Sequence, residues 1–349
     1  MKQSLATKYR PTTFEDGFMG QHITRQILSR QLETGNFKNC YGFFGCSGTG
    51  KTTAARCFAR AINGTLDGLI EIDGGTMGNK DDIKPLIETM GQRSVITKYK
   101  IIIIDECQMI GGGRKENSPA WTAMLKGLEE CPMYTIFIMC STDPDKIPEA
   151  ILNRLQRFNF SPIPAEEIKT RLEYICQQEG LTNYSQTCDL ISKTCKGCMR
   201  EAITKLDQCA DYSSDLNIAN TKLVLSDLSY EPLFKLTWAL QEKNEADILE
   251  IIDKLYNDGV DLKNFIETYL EFVIELTKFS LFKTIDATNI PAYLATKENP
   301  VVQKTVDIQD NAKWFNRLVD LLLEIKTNIR ADLNHVTTIK AYLLRVCRG

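Results

Sequence analysis

The chain has 349 residues, of which 43% are hydrophobic and 25% are charged, and its formal net charge is −3. A chain of this length and composition is expected to fold into two or three domains, and it is too apolar to be intrinsically disordered. No run approaches the ~18 consecutive apolar residues of a membrane span. This net charge shows that the protein is not basic overall, but it is compatible with a local basic surface that binds DNA.

The first residues, MKQSLATKYRP, lack the apolar region of a secretory signal, and the chain contains twelve cysteines. Together these features predict a cytoplasmic protein whose thiols are reduced. Cys195 and Cys198 have the spacing of half a zinc site, but a second such pair is missing. Reduced thiols are therefore favoured there over zinc binding or redox chemistry.

In chain order, short apolar runs first alternate with amphipathic stretches, which predicts a parallel sheet joined by crossover helices. The runs show no polar alternation, as expected for strands that are covered on both faces. The predicted strands are residues 40–44, 69–72, 100–105, 134–140 and 157–160. Prolines then mark a break, and leucine, isoleucine and phenylalanine recur at helical spacing towards the end. We expect an α/β domain at 1–162, a small helical domain at 163–228 and an all-α domain at 229–349.

A glycine-rich loop follows the first predicted strand and fits the spacing G-x-x-x-x-G-K-[ST]. Its glycines let successive N–H groups point at one anion, and the helix that begins near Lys51 adds the positive end of its dipole. Lys51 can reach the β- and γ-phosphates, and Thr52 can ligate Mg²⁺. A glycine turn without a ligand would match the same letters, but the strand before it and the helix after it favour a nucleoside triphosphate with Mg²⁺. The predicted contacts are Gly45, Cys46, Ser47, Gly48, Thr49, Gly50, Lys51, Thr52 and Thr53.

The run IIIIDECQM, residues 101–109, is an apolar strand that ends in two acids. Asp105 at its tip is predicted to hold Mg²⁺, partly through water, and Glu106 to polarise an attacking water as general base. Two acids can also end a strand without any function, and it is the phosphate loop in the same sheet that favours catalysis. The resulting fold class is an α/β P-loop NTPase with a parallel sheet.

With these residues in place, the chain resembles the AAA+ clamp loader ATPases, and within them the tau/gamma family of bacterial DNA polymerase III. The likeness is strong to about Asp207 and weaker beyond it. The segment KYRPTTFEDGFMGQ, residues 8–21, is similar to the N-terminal signature of the family, which walls the adenine. The resemblance also implies a helical lid and a C-terminal helical collar that builds a ring of subunits. It assigns the adenine wall to Tyr9, Arg10, Pro11, Phe18 and Met19.

The resemblance implies three further site residues. In CSTDPDKIPEAILNRLQRF, residues 140–158, Thr142 matches the sensor on the γ-phosphate side and Arg154 matches the arginine finger, which reaches a neighbouring subunit's ATP. In GCMREA, residues 197–202, Arg200 matches the lid arginine that contacts the phosphates of its own subunit's nucleotide.

The chain departs from the family pattern in four places, the first of which is one extra residue near Gly17 in the N-terminal signature. Asn153-Arg154-Leu155 stands where the family usually has Ser-Arg-Cys, and the four-cysteine zinc module after the phosphate-loop helix is absent. Extra residues around Arg114 and Lys115 form a basic turn, for which both plain solvation and clamp contact stay open. The resemblance therefore implies a divergent relative, of bacterial or phage origin.

The function implied by the resemblance is that of an ATPase motor subunit of a DNA sliding-clamp loader. Its implied partners are the other subunits of a hetero- or homo-oligomeric pentameric ring, the sliding clamp and primer–template DNA, with no membrane. The implied location is the cytoplasm of a bacterial cell or a phage-infected host. Two alternatives stay open: a non-hydrolysing scaffold subunit of the same assembly, and another AAA+ DNA motor such as a branch-migration helicase.

Overall fold

The computed structural model describes residues 3–113, 118–225, 230–296, 300–308, 312–329 and 335–348. Arg114, Lys115 and the predicted boundary at 228/229 lie outside these residues. The chain divides into two compact units, Met1–Gly180 with Cys195–Gln208, and Leu181–Thr194 with Cys209–Gly349. This division runs through the predicted lid segment, and the three predicted domains stay a prediction.

The first unit contains one five-stranded sheet. Its strands are β1 Cys40–Gly45, β2 Ile70–Asp73, β3 Lys100–Asp105, β4 Thr135–Ser141 and β5 Gln156–Phe160. The strand order is β2-β3-β4-β1-β5, and every neighbouring pair is parallel. The predicted parallel sheet is thus confirmed, with each strand end within one residue of its predicted position.

Helices connect these strands and form most of the remaining described chain. They are α1 Leu5–Lys8, α2 His22–Thr34, α3 Lys51–Asn63, α4 Lys80–Met90, α5 Pro119–Glu129, α6 Glu149–Leu152, α7 Ala165–Gln178, α8 Ser185–Thr194, α9 Met199–Tyr212, α10 Ile218–Val224, α11 Glu231–Gln241, α12 Glu245–Asn257, α13 Leu262–Phe282, α14 Val301–Ile308, α15 Ala312–Ile329 and α16 His335–Arg348.

Both faces of the sheet are covered, which explains why the inner strand β3 is apolar from Ile101 to Ile104. The two edge strands β2 and β5 alternate between polar and apolar residues, so the predicted absence of polar alternation is wrong for them. Ile101 and Ile103 of β3 pack into one core with residues of α3, whereas Ile102 and Ile104 pack into a second core with residues of α4 and α5. Successive side chains of a strand point to opposite faces, so a strand between two cores must be apolar throughout. The order of the strands sets the carboxyl ends of β3, β4 and β1 side by side.

The second unit is helical and has its own core, formed mainly by α11 to α16. Tyr269 of α13 is fully buried in this core, and its hydroxyl lies 3.1 Å from the Thr237 hydroxyl of α11. The polar end of the ring is therefore paired inside the apolar interior, as burial of a hydroxyl requires. The all-α character predicted for the C-terminal region is confirmed.

Candidate functional site

The glycine-rich loop joins the end of β1 to the start of α3. Two glycines allow its path: Gly48 has φ of +71°, and a Cβ on Gly45 would lie 2.1 Å from the Phe160 oxygen. Side chains are rarely tolerated at such positions, since L-residues disfavour positive φ and the neighbouring backbone cannot give way. The helix α3 begins at Lys51, so its unpaired N–H groups and dipole lie at the loop, where an anion can bind.

Lys51 is buried inside this loop, with 6% of its surface exposed. Its Nζ donates hydrogen bonds to the carbonyl oxygens of Gly45, at 2.7 Å, and Cys46, at 2.8 Å. Burial lowers the pKa of the Lys51 ammonium from its ordinary value, against the opposing effect of acidic groups that include Asp105 and Glu106. A bound polyanion would favour the charged form and supply better acceptors than the loop's own carbonyls.

A hydroxyl and a carboxylate meet beside the loop. Thr52, in the first turn of α3, donates from its Oγ1 to Oδ2 of Asp105 at 2.8 Å, and Asp105 is the last residue of β3. Mg²⁺ is usually bound by one or two protein oxygen atoms, and phosphate oxygens and water complete its coordination shell. The residues present therefore fit the metal that the sequence predicted.

The turn after β3 carries a second polar cluster. Glu106 has φ of +46°, a left-handed conformation that is uncommon outside glycine, and it directs the chain into a short 3₁₀ turn at Cys107–Met109. Thr142, just after β4, donates from its Oγ1 to Oε2 of Glu106 at 3.0 Å. Because β3 and β4 are neighbours in the sheet, residues that are 36 positions apart in sequence come within hydrogen-bond distance.

Gln108 belongs to the same cluster and is a site residue that was not predicted from the sequence. Its Nε2 donates to Oε2 of Glu106 and, at 2.9 Å, to Oγ1 of Thr142. The available signal was an amide at a position inside an otherwise apolar turn, between Cys107 and Met109. The structure thus brings Glu106, Thr142 and Gln108 into one closed set of hydrogen bonds.

A cavity of about 410 Å³ in the first unit joins the loop to the N-terminal segment and the start of α9. Among the predicted residues it is lined by Tyr9, Arg10, Pro11, Met19, Ser47, Gly48, Thr49, Gly50, Lys51, Thr52, Thr53, Asp105, Glu106 and Arg200. Residues that were not predicted also line it, namely Ala6, Thr7, Gly17, Ile163, Arg171, Met199, Ile203 and Thr204. The glycine-rich loop and several apolar side chains therefore line one cavity.

Three of the predicted nucleotide contacts, Phe18, Gly45 and Cys46, do not line the cavity; the Gly45 carbonyl accepts a hydrogen bond from Lys51. Phe18 belongs to the core, 5% exposed, and its ring would lie 3.2 Å from a Cβ on Gly50, so it packs beneath the loop. Cys46 is exposed and presents its carbonyl to Lys51. Thr142 does not line the cavity itself, but it donates a hydrogen bond to Glu106, which does.

Arg200 is the second residue of α9, and the start of that helix is attached to the loop. The Met199 N–H donates to the Gly48 carbonyl at 3.1 Å, and the Cys198 sulfur fills the space where a Gly48 side chain would lie. Burial lowers the pKa of Arg10, and the positive charge of Arg200 is among the further causes, which places both cations in one electrostatic environment. Such an environment favours a polyanionic ligand.

Arg154 is not among the residues that line the cavity. It follows α6, is about a third exposed, and forms an ion pair with Glu129 at the end of α5. Its Nη1 also donates to the Ala150 carbonyl at 2.7 Å. The guanidinium is thus held at the surface of the first unit, and its predicted role towards a neighbouring subunit stays a prediction.

Within the described parts of the chain, no helix combines the length and the apolar character that a membrane crossing needs. Residues 41–163 match the AAA family, described as "ATPase family associated with various cellular activities". In solved structures, the Thermotoga maritima RuvB Holliday junction branch migration motor has a TM-score of 0.53 at 16% identity, over 72% of this chain and 86% of that chain. At this identity the likeness shows the fold alone.

Two curated relatives carry the name DNA polymerase III subunit tau. The Bacillus subtilis protein is 32% identical over an alignment of 304 positions, which covers 81% of this chain and 52% of that protein. The Escherichia coli protein is 26% identical over an alignment of 335 positions, which covers 84% of this chain and 51% of that protein. The chain therefore spans about half the length of these relatives. These comparisons identify residues 41–163 as a domain of the AAA family and show that most of the chain resembles the tau/gamma subunits of bacterial DNA polymerase III.

Proposed function

We propose that this chain is an ATPase motor subunit of a DNA sliding-clamp loader. The observation that carries the proposal is the convergence of Lys51, the Thr52–Asp105 pair and Glu106 at the carboxyl ends of β1 and β3. These positions supply an anion cradle, two metal ligands and a general base, which are the parts that phosphoryl transfer to water needs.

In the proposed site, the loop amides and Lys51 bind the β- and γ-phosphates. Thr52 and Asp105 would hold Mg²⁺, which when bound neutralises charge on the phosphate oxygens. Glu106 accepts a proton from the attacking water, and Thr142 holds the Glu106 carboxylate and faces the γ-phosphate side. Arg200 contacts the phosphates from the same chain, while Tyr9, Arg10, Pro11 and Met19 form the wall for the base.

Arg154 is proposed to complete the ATP site of a neighbouring subunit. Charge develops on the γ-phosphate oxygens during transfer, and an arginine supplied in trans stabilises that charge and raises the rate by ~10³–10⁵-fold. The proposal is supported by the surface position of Arg154, away from the cavity of its own chain. Hydrolysis would then depend on assembly into a ring.

The proposed assembly is a pentameric ring that acts on a sliding clamp and primer–template DNA in the cytoplasm of a bacterial cell or a phage-infected host. ATP binding organises a spiral that opens the clamp and grips the DNA through its phosphates. Hydrolysis then releases the clamp closed around the duplex. The resemblance to DNA polymerase III subunit tau supports this assignment, and the net charge of −3 fits a subunit that shares DNA contacts with others.

Two alternatives make different predictions. A scaffold subunit of the same assembly needs no intact hydrolysis site, whereas Lys51, Asp105 and Glu106 are all present here. A branch-migration motor shares the fold, as the Thermotoga maritima RuvB structure does, and it would separate DNA strands. A strand-displacement assay distinguishes that motor from a clamp loader.

The proposal is tested by measuring ATP hydrolysis by the assembled protein with the sliding clamp and primed DNA of its source, added separately and together. A clamp loader subunit gives turnover that rises with each addition and rises most with both. Turnover that ignores the clamp would overturn the assignment as a clamp loader, even if ATP hydrolysis itself were present.

A further inference from the structure

Gln108 is a buried amide at the heart of the polar cluster after β3, with 5% of its surface exposed. Its Nε2 bonds both Glu106 and Thr142, and Thr142 bonds the same Glu106 oxygen, Oε2. Three side chains from two loops thus meet at one carboxylate oxygen. The proposed mechanism assigns roles to Glu106 and Thr142 but uses no property of Gln108.

The orientation of the amide follows from its neighbours. A carboxylate oxygen only accepts hydrogen bonds, so the Gln108 atom beside Glu106 must be the NH₂ group, and the amide oxygen points away from it. That oxygen is buried and has no partner among the described residues. A buried acceptor without a donor is uncommon in proteins, and a water molecule is the usual partner that satisfies it.

We propose that Gln108 is a positioning residue for the general base Glu106, an inference that rests on the proposed ATPase function. Glu106 leaves β3 with φ of +46°, in a backbone conformation that does not by itself fix the carboxylate. Gln108 and Thr142 both bind Oε2, so Oε1 is the oxygen that is presented to an attacking water. A misplaced base loses much of its effect, because proton transfer requires hydrogen-bond distance to the water.

The consequence for Thr142 is specific. Its hydroxyl is shared between Glu106 and Gln108, and a γ-phosphate would compete for the proton that it donates. When Thr142 turns to the phosphate, Gln108 becomes the donor that still holds Glu106. The amide therefore maintains the position of the base in the state in which hydrolysis takes place.

The test is a double-mutant cycle in the assembled protein with ATP, Mg²⁺, clamp and primed DNA. Gln108→Met keeps the length of the side chain and removes both of its hydrogen bonds, and we expect kcat to fall by roughly tenfold, the effect of losing about one charge-assisted hydrogen bond. The ATP affinity is expected to stay within about twofold of the parent value, since Gln108 does not line the cavity. In a Glu106→Gln background, the same substitution should cause no further loss of single-turnover rate, because the base is already absent.

Gln92→Leu serves as a matched control, since Gln92 is exposed on the loop after α4 and should leave turnover unchanged. Gln108→Glu is the second variant: it keeps the size of the side chain but sets a carboxylate against Glu106, and its turnover should fall further than that of Gln108→Met. A thermal unfolding midpoint within about 2 °C of the parent shows that a variant is folded. If Gln108→Met does not fold, the turnover of Gln108→Glu tests the inference instead.

The inference is wrong if Gln108→Met keeps or raises the parental turnover, or if its loss repeats in full in the Glu106→Gln background, as a purely structural role would require. A different result would show that the proposed function itself is wrong, and not only the role of Gln108. If Glu106→Gln alone keeps full turnover, Glu106 is not the base, and the ATPase mechanism falls together with the role of Gln108.

Discussion

Glu106 is the residue that distinguishes hydrolysis from nucleotide binding in the proposed site. Asp105 and Thr52 are hydrogen-bonded to each other beside the loop, whereas Glu106 extends from a left-handed turn and its side chain is held by Thr142 and Gln108. Removal of its charge should therefore change the chemistry and leave the binding surface as it is.

For Glu106→Gln we expect ATP affinity close to the parental value and a turnover lower by ~10²–10⁴-fold, the usual contribution of a positioned general base. Single-turnover hydrolysis and a filter-binding titration measure the two quantities. Glu88→Gln, on the exposed side of α4, is the control and should change neither turnover nor ATP affinity. Equal turnover of the parent and Glu106→Gln would contradict the assignment and favour the scaffold alternative.

Among single residues, the sequence predicted those that belong to short motifs with a fixed spacing. Lys51 and Thr52 follow from the loop motif, and Asp105 and Glu106 follow from an apolar run that ends in acids. Gln108 was not predicted, because its bonds to Glu106 and Thr142 exist only once β3 and β4 are adjacent and the turn after β3 is formed. Arg171, a buried cation on the cavity wall that donates to the Tyr9 carbonyl, was missed for the same reason.

At the scale of elements, the glycine-rich loop packs closely against the start of α9. Gly48 has φ of +71°, and a Cβ there would lie 2.1 Å from the Cys198 sulfur. Gly64, which ends α3, has φ of +75°, and a Cβ there would meet nothing within 4 Å among the described residues. The two glycines share a left-handed backbone conformation, and they differ in the contact that an added side chain would make.

Gly64→Ala is expected to lower stability by roughly 1 kcal/mol, because alanine disfavours the left-handed conformation. Gly48→Ala should cost about 1 kcal/mol more, since the Cys198 side chain must leave its rotamer. Thermal unfolding measures this as a midpoint a few degrees lower than that of Gly64→Ala. Cys198→Ala in the Gly48→Ala background should recover the difference; equal midpoints of the two single variants would show that the contact is unimportant.

Elements that are defined by their own sequence were predicted well. The inner strands β1, β3 and β4 were found because each is a nearly uninterrupted apolar run, and both faces of the sheet are covered there. The edge strands β2 and β5 were also found, although polar and apolar residues alternate in them. The small helical segment was harder: α7 and α8 have similar amphipathic patterns, yet they belong to different compact units. Helical periodicity predicts that a face is buried, but it does not indicate which neighbour covers that face.

At the scale of the whole molecule, the proposed catalytic set is divided between two protomers. Lys51, Asp105, Glu106 and Arg200 line the cavity of their own chain, whereas Arg154 is held at the surface by Glu129. The proposal therefore predicts that the isolated chain binds nucleotide and that efficient hydrolysis requires an assembly. The Glu129 pair would then be exchanged for phosphate when a neighbour arrives.

Arg154→Ala should leave the ATP affinity of the isolated chain unchanged and lower clamp- and DNA-stimulated turnover of the assembly by ~10³-fold or more. Calorimetry on the chain and steady-state ATPase assays on the assembly measure the two effects. Arg157→Ala is the matched control, since Arg157 lies three residues away and donates to the Leu152 carbonyl. An unchanged stimulated rate for Arg154→Ala would exclude the trans role.

The central claim is that the cavity around Lys51 binds ATP with Mg²⁺, and isothermal titration calorimetry of the purified chain tests it most directly. We predict saturable binding of about one nucleotide per chain, weakened at least tenfold in Lys51→Ala through the loss of a charge-assisted hydrogen bond. Lys84→Ala, an exposed lysine of α4, should bind as the parent does. The absence of saturable heat, or equal affinities of the parent and Lys51→Ala, would contradict the account.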